Sequence, residues 1–88
     1  MSGNPLIAKQ PEYSKQAAKY IEGLDRSSKQ RIKDAIIKIP QGNIKPLQGA
    51  PGTFRLRIGD WRILFSYLDG GVYVREIGPR GGIYNRVK

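Results

Sequence analysis

Between Tyr13 and Leu24 the apolar residues Tyr13, Ala17, Tyr20, Ile21 and Leu24 recur at helical spacing, with Lys15, Lys19 and Glu22 on the other side. The spacing predicts an amphipathic helix that opens at Pro11, a residue suited to a first helical turn, and closes at Gly23. Asp25, Ser27 and Ser28 are all good N-caps for a second helix, whose stripe is Ile32, Ala35, Ile36 and Ile39 and which Pro40 stops. So short a connection makes the two an antiparallel hairpin. Ahead of them, residues 4–9 (Asn-Pro-Leu-Ile-Ala-Lys) form a short, partly apolar run that reads as a lead-in strand.

Residues 40–52 carry three prolines and three glycines and are expected to form a loop. Beyond it the period falls to two. Residues 53–58 alternate, with Phe54, Leu56 and Ile58 on one face and Thr53, Arg55 and Arg57 on the other. Residues 61–68 and 72–77 make two further strands. Gly59-Asp60 turns the first hairpin, and either Asp69-Gly70 or Gly70-Gly71 turns the second. The glycine-rich, basic residues 79–88 form a loop that closes in a short strand or turn around Ile83 and Tyr84. The fold class expected is α+β: an N-terminal strand and an antiparallel helical hairpin packed on a small antiparallel sheet.

Eighty-eight residues suffice for one domain, residues 1–88. The absence of cysteine and histidine removes disulfides, thiolate chemistry, histidine-based triads and the usual zinc ligands. No metal or cofactor is expected. No apolar run reaches the length of a membrane helix and the start lacks a hydrophobic signal core, so a cytoplasmic protein without a membrane partner is expected. Sixteen Lys and Arg against seven Asp and Glu give +9, a field that points to an anionic partner.

The cations are not spread evenly. Residues 1–44 hold six lysines and two arginines; residues 45–88 hold two lysines and six arginines. Helix lysines such as Lys15, Lys29 and Lys33 suit a solvated surface, whereas arginine forks suit phosphate oxygens. A two-residue turn at Gly59-Asp60 sets Ile58 opposite Trp61 and Arg57 opposite Arg62, with Arg55 on the same face. Like charges directly opposed are unfavourable by up to about 1 kcal/mol, so a fold that keeps both favours a counterion there. Either choice of second turn adds Arg75 to this face, together with Leu64, Tyr73 and Ile77. Phe54, Leu56, Ile58, Ile63, Phe65, Tyr67, Val72 and Val74 gather on the face the helices would cover. A plainer account also exists, because an exposed sheet face commonly carries arginines whose stems pack over their neighbours.

Read in order, the segments Lys45-Pro46-Leu47-Gln48-Gly49, Phe54-Arg55-Leu56-Arg57-Ile58-Gly59-Asp60-Trp61-Arg62 and Gly78-Pro79-Arg80-Gly81-Gly82-Ile83-Tyr84 resemble the RelE/ParE toxin superfamily. The resemblance spans nearly the whole chain and implies a RelE-like, microbial ribonuclease-type fold. It also implies one of two activities: RelE-like members cut messenger RNA in the ribosomal A site and so stop translation, and ParE-like members act on DNA gyrase. Carried over residue by residue, the RelE-like catalytic set falls on Arg55, Arg57, Arg62, Arg80 and Tyr84. Lys45, Trp61 and Arg75 are added as RNA contacts; Trp61 either stacks on a base or packs the hairpin.

The chemistry this asks for is metal-independent attack of an RNA 2′-hydroxyl on the adjoining phosphate. The hydroxyl must lose a proton, the phosphorane charge must be stabilised, and the 5′-oxygen must be protonated. Arg55, Arg57 and Arg62 suit the charge, Arg80 the leaving oxygen, and Tyr84 either the hydroxyl or a base stack. Arginine stands where several relatives have lysine, and it does not readily release a proton. The resemblance further implies a cognate antitoxin in a heteromeric toxin–antitoxin complex, and the charge implies that its segment is acidic. Ribosome and mRNA are the expected targets; a gyrase inhibitor and a non-catalytic RNA-binding module are the competing expectations.

Overall fold

A computed structural model describes residues 10–79. The lead-in strand expected at residues 4–9, and Arg80, Tyr84 and the rest of the basic tail, lie outside the described residues. Among the described residues seven elements follow one another: β1 (Glu12–Tyr13), α1 (Lys15–Glu22), α2 (Arg26–Ile37), β2 (Asn43–Pro46), β3 (Phe54–Ile58), β4 (Trp61–Leu68) and β5 (Gly71–Pro79). The strands form one sheet in the order β1-β5-β4-β3-β2, with β1 parallel to β5 and every other pair antiparallel.

The first helix starts later than its apolar stripe suggests. Ser14 is its N-cap, with extended backbone, and its Oγ accepts the Ala17 N–H at 3.1 Å. The same hydroxyl donates to the Arg75 carbonyl at 2.6 Å, and the Ser14 N–H donates to the Val74 carbonyl at 2.9 Å. These bonds pull Glu12 and Tyr13 into the sheet, so Pro11 precedes a strand and Tyr13 reaches the core from β1. Gln16 extends the seam, donating to the Ile77 carbonyl at 2.8 Å and accepting its N–H at 3.0 Å. Replacing Ser14 with alanine is expected to destabilise the domain by about 1–2 kcal/mol, from a lost cap and a lost strand contact. A urea melt measures it.

Asp25 caps α2, its carboxylate accepting the Ser28 N–H at 3.1 Å. Hydrogen bonding from Ser28, side chain and then backbone, holds this carboxyl below the ordinary aspartate range. The cap therefore contributes at neutral pH and fades as acid carries the carboxyl through its lowered pKa. Helix α2 ends at Ile37, before Pro40, as the restricted residue ahead of a proline requires.

The loop expected over residues 40–52 contains a strand. Asn43, Ile44, Lys45 and Pro46 pair with Arg57, Leu56, Arg55 and Phe54. Only Ile44 of the four is even half-buried, so this edge strand lacks the alternation that marks β3, and Pro46 is tolerated because one side is unpaired.

The turns after β3 and β4 each have two residues. Ile58 faces Trp61 and Arg57 faces Arg62, as the sequence predicts; Leu68 faces Gly71, which selects Asp69-Gly70 for the second turn. Asp69 and Gly70 both have positive φ (37° and 78°), the requirement of the turn that follows strand twist. The core is shared by Ala17, Ile21, Ile32, Ile36 and Ile39 with Leu56, Ile63, Phe65, Val72, Val74 and Ile77.

Ile77 is a correction, because it was expected on the arginine face. Between β4 and β5 the register runs Phe65 to Val74 and then Leu64 to Glu76, so Arg75 is an extra residue. One added residue in a period of two exchanges the faces beyond it. Ile77 turns inward and is 1% exposed, and Glu76 turns to the arginine side.

Candidate functional site

The face of the sheet away from the core carries two parallel rows. Asn43, Arg57, Arg62 and Gly78 form one across β2, β3, β4 and β5; Lys45, Arg55, Leu64 and Glu76 form the other. Next along β4 come Ser66 and, opposite it, Tyr73. Arg75 belongs to this side, since its Nε donates to Ser66 Oγ at 2.8 Å, and its guanidinium lies 5.6 Å from the Tyr73 ring centre. The fold thus brings Lys45, Arg55, Arg57, Arg62 and Arg75 together on one face. Arg57 and Arg62 are directly paired.

These cations differ in burial. Arg62 is only 6% exposed, in the middle of the sheet, whereas Arg55 and Arg57 are half-buried and Lys45 and Arg75 are exposed. The Nε and Nη2 of Arg55 are buried and have no hydrogen-bond partner among the described residues. A guanidinium presenting sequestered donors among other cations is suited to an acceptor of negative charge, since buried donors left unpaired are costly. Beside it, Lys45, Pro46, Leu47, Gln48 and Arg55 line a recess of about 550 Å³. Gln48 enters the site only through the course of the chain after β2, which the sequence pattern did not signal.

Trp61 is placed elsewhere. It pairs with Ile58, packs against the core, and has the Arg31 guanidinium 5.3 Å from its ring centre. Of the two roles open to it, the geometry favours packing the hairpin; its ring is on the side opposite Arg62. Next to it, Gly59 has φ +56°, and a Cβ there would come within 3.0 Å of Arg31 Nη2. A groove of about 420 Å³ runs between α2 and β3, lined by Arg31, Ala35, Lys38, Leu56, Arg57 and Ile58 among others. Among the described residues no group of His, Cys, Asp or Glu is arranged to hold a metal, and no helix is long and apolar enough to cross a membrane.

The face therefore offers a row of guanidinium groups and a lysine to an extended anion, with a hydroxyl, an amide and one carboxylate among them. It can bind a phosphodiester backbone and stabilise charge developing on one phosphate.

Comparison with known proteins places the fold and the family. In fold, the chain is similar to a chain of the RelB–RelE antitoxin–toxin complex from Methanococcus jannaschii, with a TM-score of 0.71 at 20% identity, covering 88% of this chain and 99% of that one. It is similar also to the archaeal RelE–RelB complex from Pyrococcus horikoshii OT3, with a TM-score of 0.66 at 22% identity, covering 85% and 98%. A search of curated proteins gave no match. The family model described as "ParE toxin of type II toxin-antitoxin system, parDE" matches residues 12–84. With that match across most of its length, and with a RelE-like arrangement of two helices on a five-stranded sheet, the chain belongs to the RelE/ParE superfamily of type II toxins.

Proposed function

We propose that this toxin is a ribosome-dependent, metal-independent endoribonuclease that cuts messenger RNA by attack of a 2′-hydroxyl on the adjoining phosphate. The observation that carries the reading is the Arg55–Arg57–Arg62 cluster, whose buried Arg55 donors have no partner among the described residues. Arg55, Arg57 and Arg62 grip the scissile phosphate and stabilise the extra charge of its transition state. Lys45 and Arg75 bind flanking phosphates, and Arg80 and Tyr84 complete the set by the family resemblance. Holding the nucleophile in line supplies a further large part of the rate.

The toxin acts in the cytoplasm and is restrained by a cognate antitoxin, whose acidic segment covers the basic face in a heteromeric complex. Their association is expected to be tight and to weaken steeply with salt, since opposed fields are screened within about 10 Å at 0.1 M. Titrating affinity against ionic strength checks this, and a salt-independent affinity would count against it.

A second reading, inhibition of DNA gyrase, is favoured by the family model, which is described for ParE toxins. Parallel assays separate the two. Primer extension on a programmed ribosome is expected to give new 5′ ends within the A-site codon, and a gyrase supercoiling reaction is expected to proceed unaffected. Linearised plasmid with intact mRNA would reverse the assignment.

A further inference from the structure

We propose that Glu76 is the general base of the cleavage, taking the proton from the attacking 2′-hydroxyl; this role rests on the ribonuclease reading. A simple alternation along β5 puts position 76 on the core side. The extra residue at Arg75 turns it to the arginine face instead, opposite Leu64 and one row from the Arg57–Arg62 pair. Among the residues of β2, β3, β4 and β5 on that face, Glu76 is the one carboxylate.

Placement and chemistry agree. Since Arg62 pairs with Gly78 and Leu64 with Glu76, Arg62 and Glu76 are diagonal neighbours, a relation of about 7–8 Å that long side chains bridge. A phosphate held by Arg62 carries its attacking 2′-oxygen roughly 3–3.5 Å from phosphorus in a near-attack arrangement. The hydroxyl of a phosphodiester held there lies over the face that Glu76 shares with Arg62. A base is needed from a chain without histidine, and the guanidiniums cannot serve as one; with Glu76 in that role, Tyr84 takes the other part the resemblance offers it, stacking on a nucleobase. Carboxylates do serve in that role. The ionisable groups disposed around Glu76 among the described residues are Arg62 from β4, Tyr73 and Arg75 on its own strand, and Glu12 at the β1 edge beside Tyr73. Helix α1 meets this strand through Gln16, which is uncharged.

The step balances. A Glu76 carboxylate oxygen takes the 2′-hydroxyl proton as the 2′-oxygen bonds to phosphorus; the bond from phosphorus to the 5′-oxygen breaks, and that oxygen takes a proton from water. The products are a 2′,3′-cyclic phosphate and a 5′-hydroxyl, and Glu76 returns its proton to solvent.

Single-turnover cleavage on programmed ribosomes, measured against pH for the wild type, Glu76→Gln and Glu76→Asp, tests the role. The Gln variant is expected to be about 10²–10⁴-fold slower and to lose the acidic limb of the pH–rate profile. Its ribosome binding and unfolding midpoint are expected to stay at wild-type values, and the Asp variant to keep the limb at a reduced rate. A Gln variant within threefold of the wild type, or one that retains the limb, overturns the proposal while leaving the ribonuclease reading standing. Wild-type protein that does not cleave overturns both. Should the Gln variant fail to fold, the Asp variant decides: a slower rate with unchanged ribosome binding supports the role, and the wild-type rate overturns it.

Discussion

Replacing Arg55 with methionine is expected to slow cleavage on the ribosome about 10²–10³-fold while leaving the unfolding midpoint unchanged or raised. The size follows from what removing one charge-stabilising donor does in other enzymes, where it costs about 2.7–4 kcal/mol of transition-state stabilisation. The sign of the stability effect follows from the free protein. There Nε and Nη2 of Arg55 are buried without a hydrogen-bond partner among the described residues, and the side chain is paired across the sheet with Lys45. Methionine keeps the stem's packing and removes both the sequestered donors and a like-charge contact, each of which is unfavourable until an anion arrives. Rate and stability are then expected to move in opposite directions, a pattern typical of sites whose strain serves function. Denaturant melts beside single-turnover rates measure both. Equal loss of folding and cleavage would make Arg55 a structural residue.

The second large effect concerns the opposite face. Phe65 is fully buried at the centre of β4, stacked on Phe54 with centroids 5.8 Å apart and edge-on to Tyr67 at 5.4 Å. Truncating it to alanine removes a ring that the surrounding Leu56, Ile63 and Val74 cannot replace, because they are themselves buried to within 2%. The expected destabilisation is about 3–5 kcal/mol, a large part of the roughly 5–15 kcal/mol available to a domain. Tyr67, at 47% exposed, joins the same aromatic group from the surface, and its truncation is expected to cost far less. Urea melts of the two variants give the comparison. Equal midpoints would mean that the apolar face of the sheet does not dominate folding.

What could be read in advance divides along physical lines. The helix stripes of Ala17, Ile21, Ile32 and Ile36, and the alternation of Phe54, Leu56 and Ile58, were legible because burial on one side leaves a period in the residues. The opposition of Arg57 and Arg62 was legible too, since a two-residue turn at Gly59-Asp60 fixes the register. Strand β2 was not, because at the sheet edge only Ile44 needs to be apolar. Strand β1 was hidden in the first helical turn, since nothing in the spacing of Tyr13 says that Ser14 bonds Val74 and Arg75, some sixty residues away. The bulge at Arg75 left one trace, the adjacent charged pair Arg75-Glu76 between apolar Val74 and Ile77, which a strict alternation accommodates only by burying the glutamate. That one residue decided which of Ile77 and Glu76 shares a face with the arginines, and so which chemistry the face contains. Arg55, Arg57, Arg62 and Arg75 follow from the alternation of the sheet, Lys45 joins them only through β2, and Arg80 and Tyr84 rest on the family pattern alone.

In the proposed reaction a phosphodiester gripped by Arg55, Arg57 and Arg62 is cut by its own 2′-hydroxyl. It is tested most directly by a programmed ribosome whose mRNA carries a single 2′-deoxynucleotide immediately 5′ of the cleaved phosphate. The unmodified message is expected to be cut there, leaving a 2′,3′-cyclic phosphate and a 5′-hydroxyl, and the deoxy message to stay intact at that bond. Cleavage of the deoxy message at the same bond, or no cleavage of either, would contradict it.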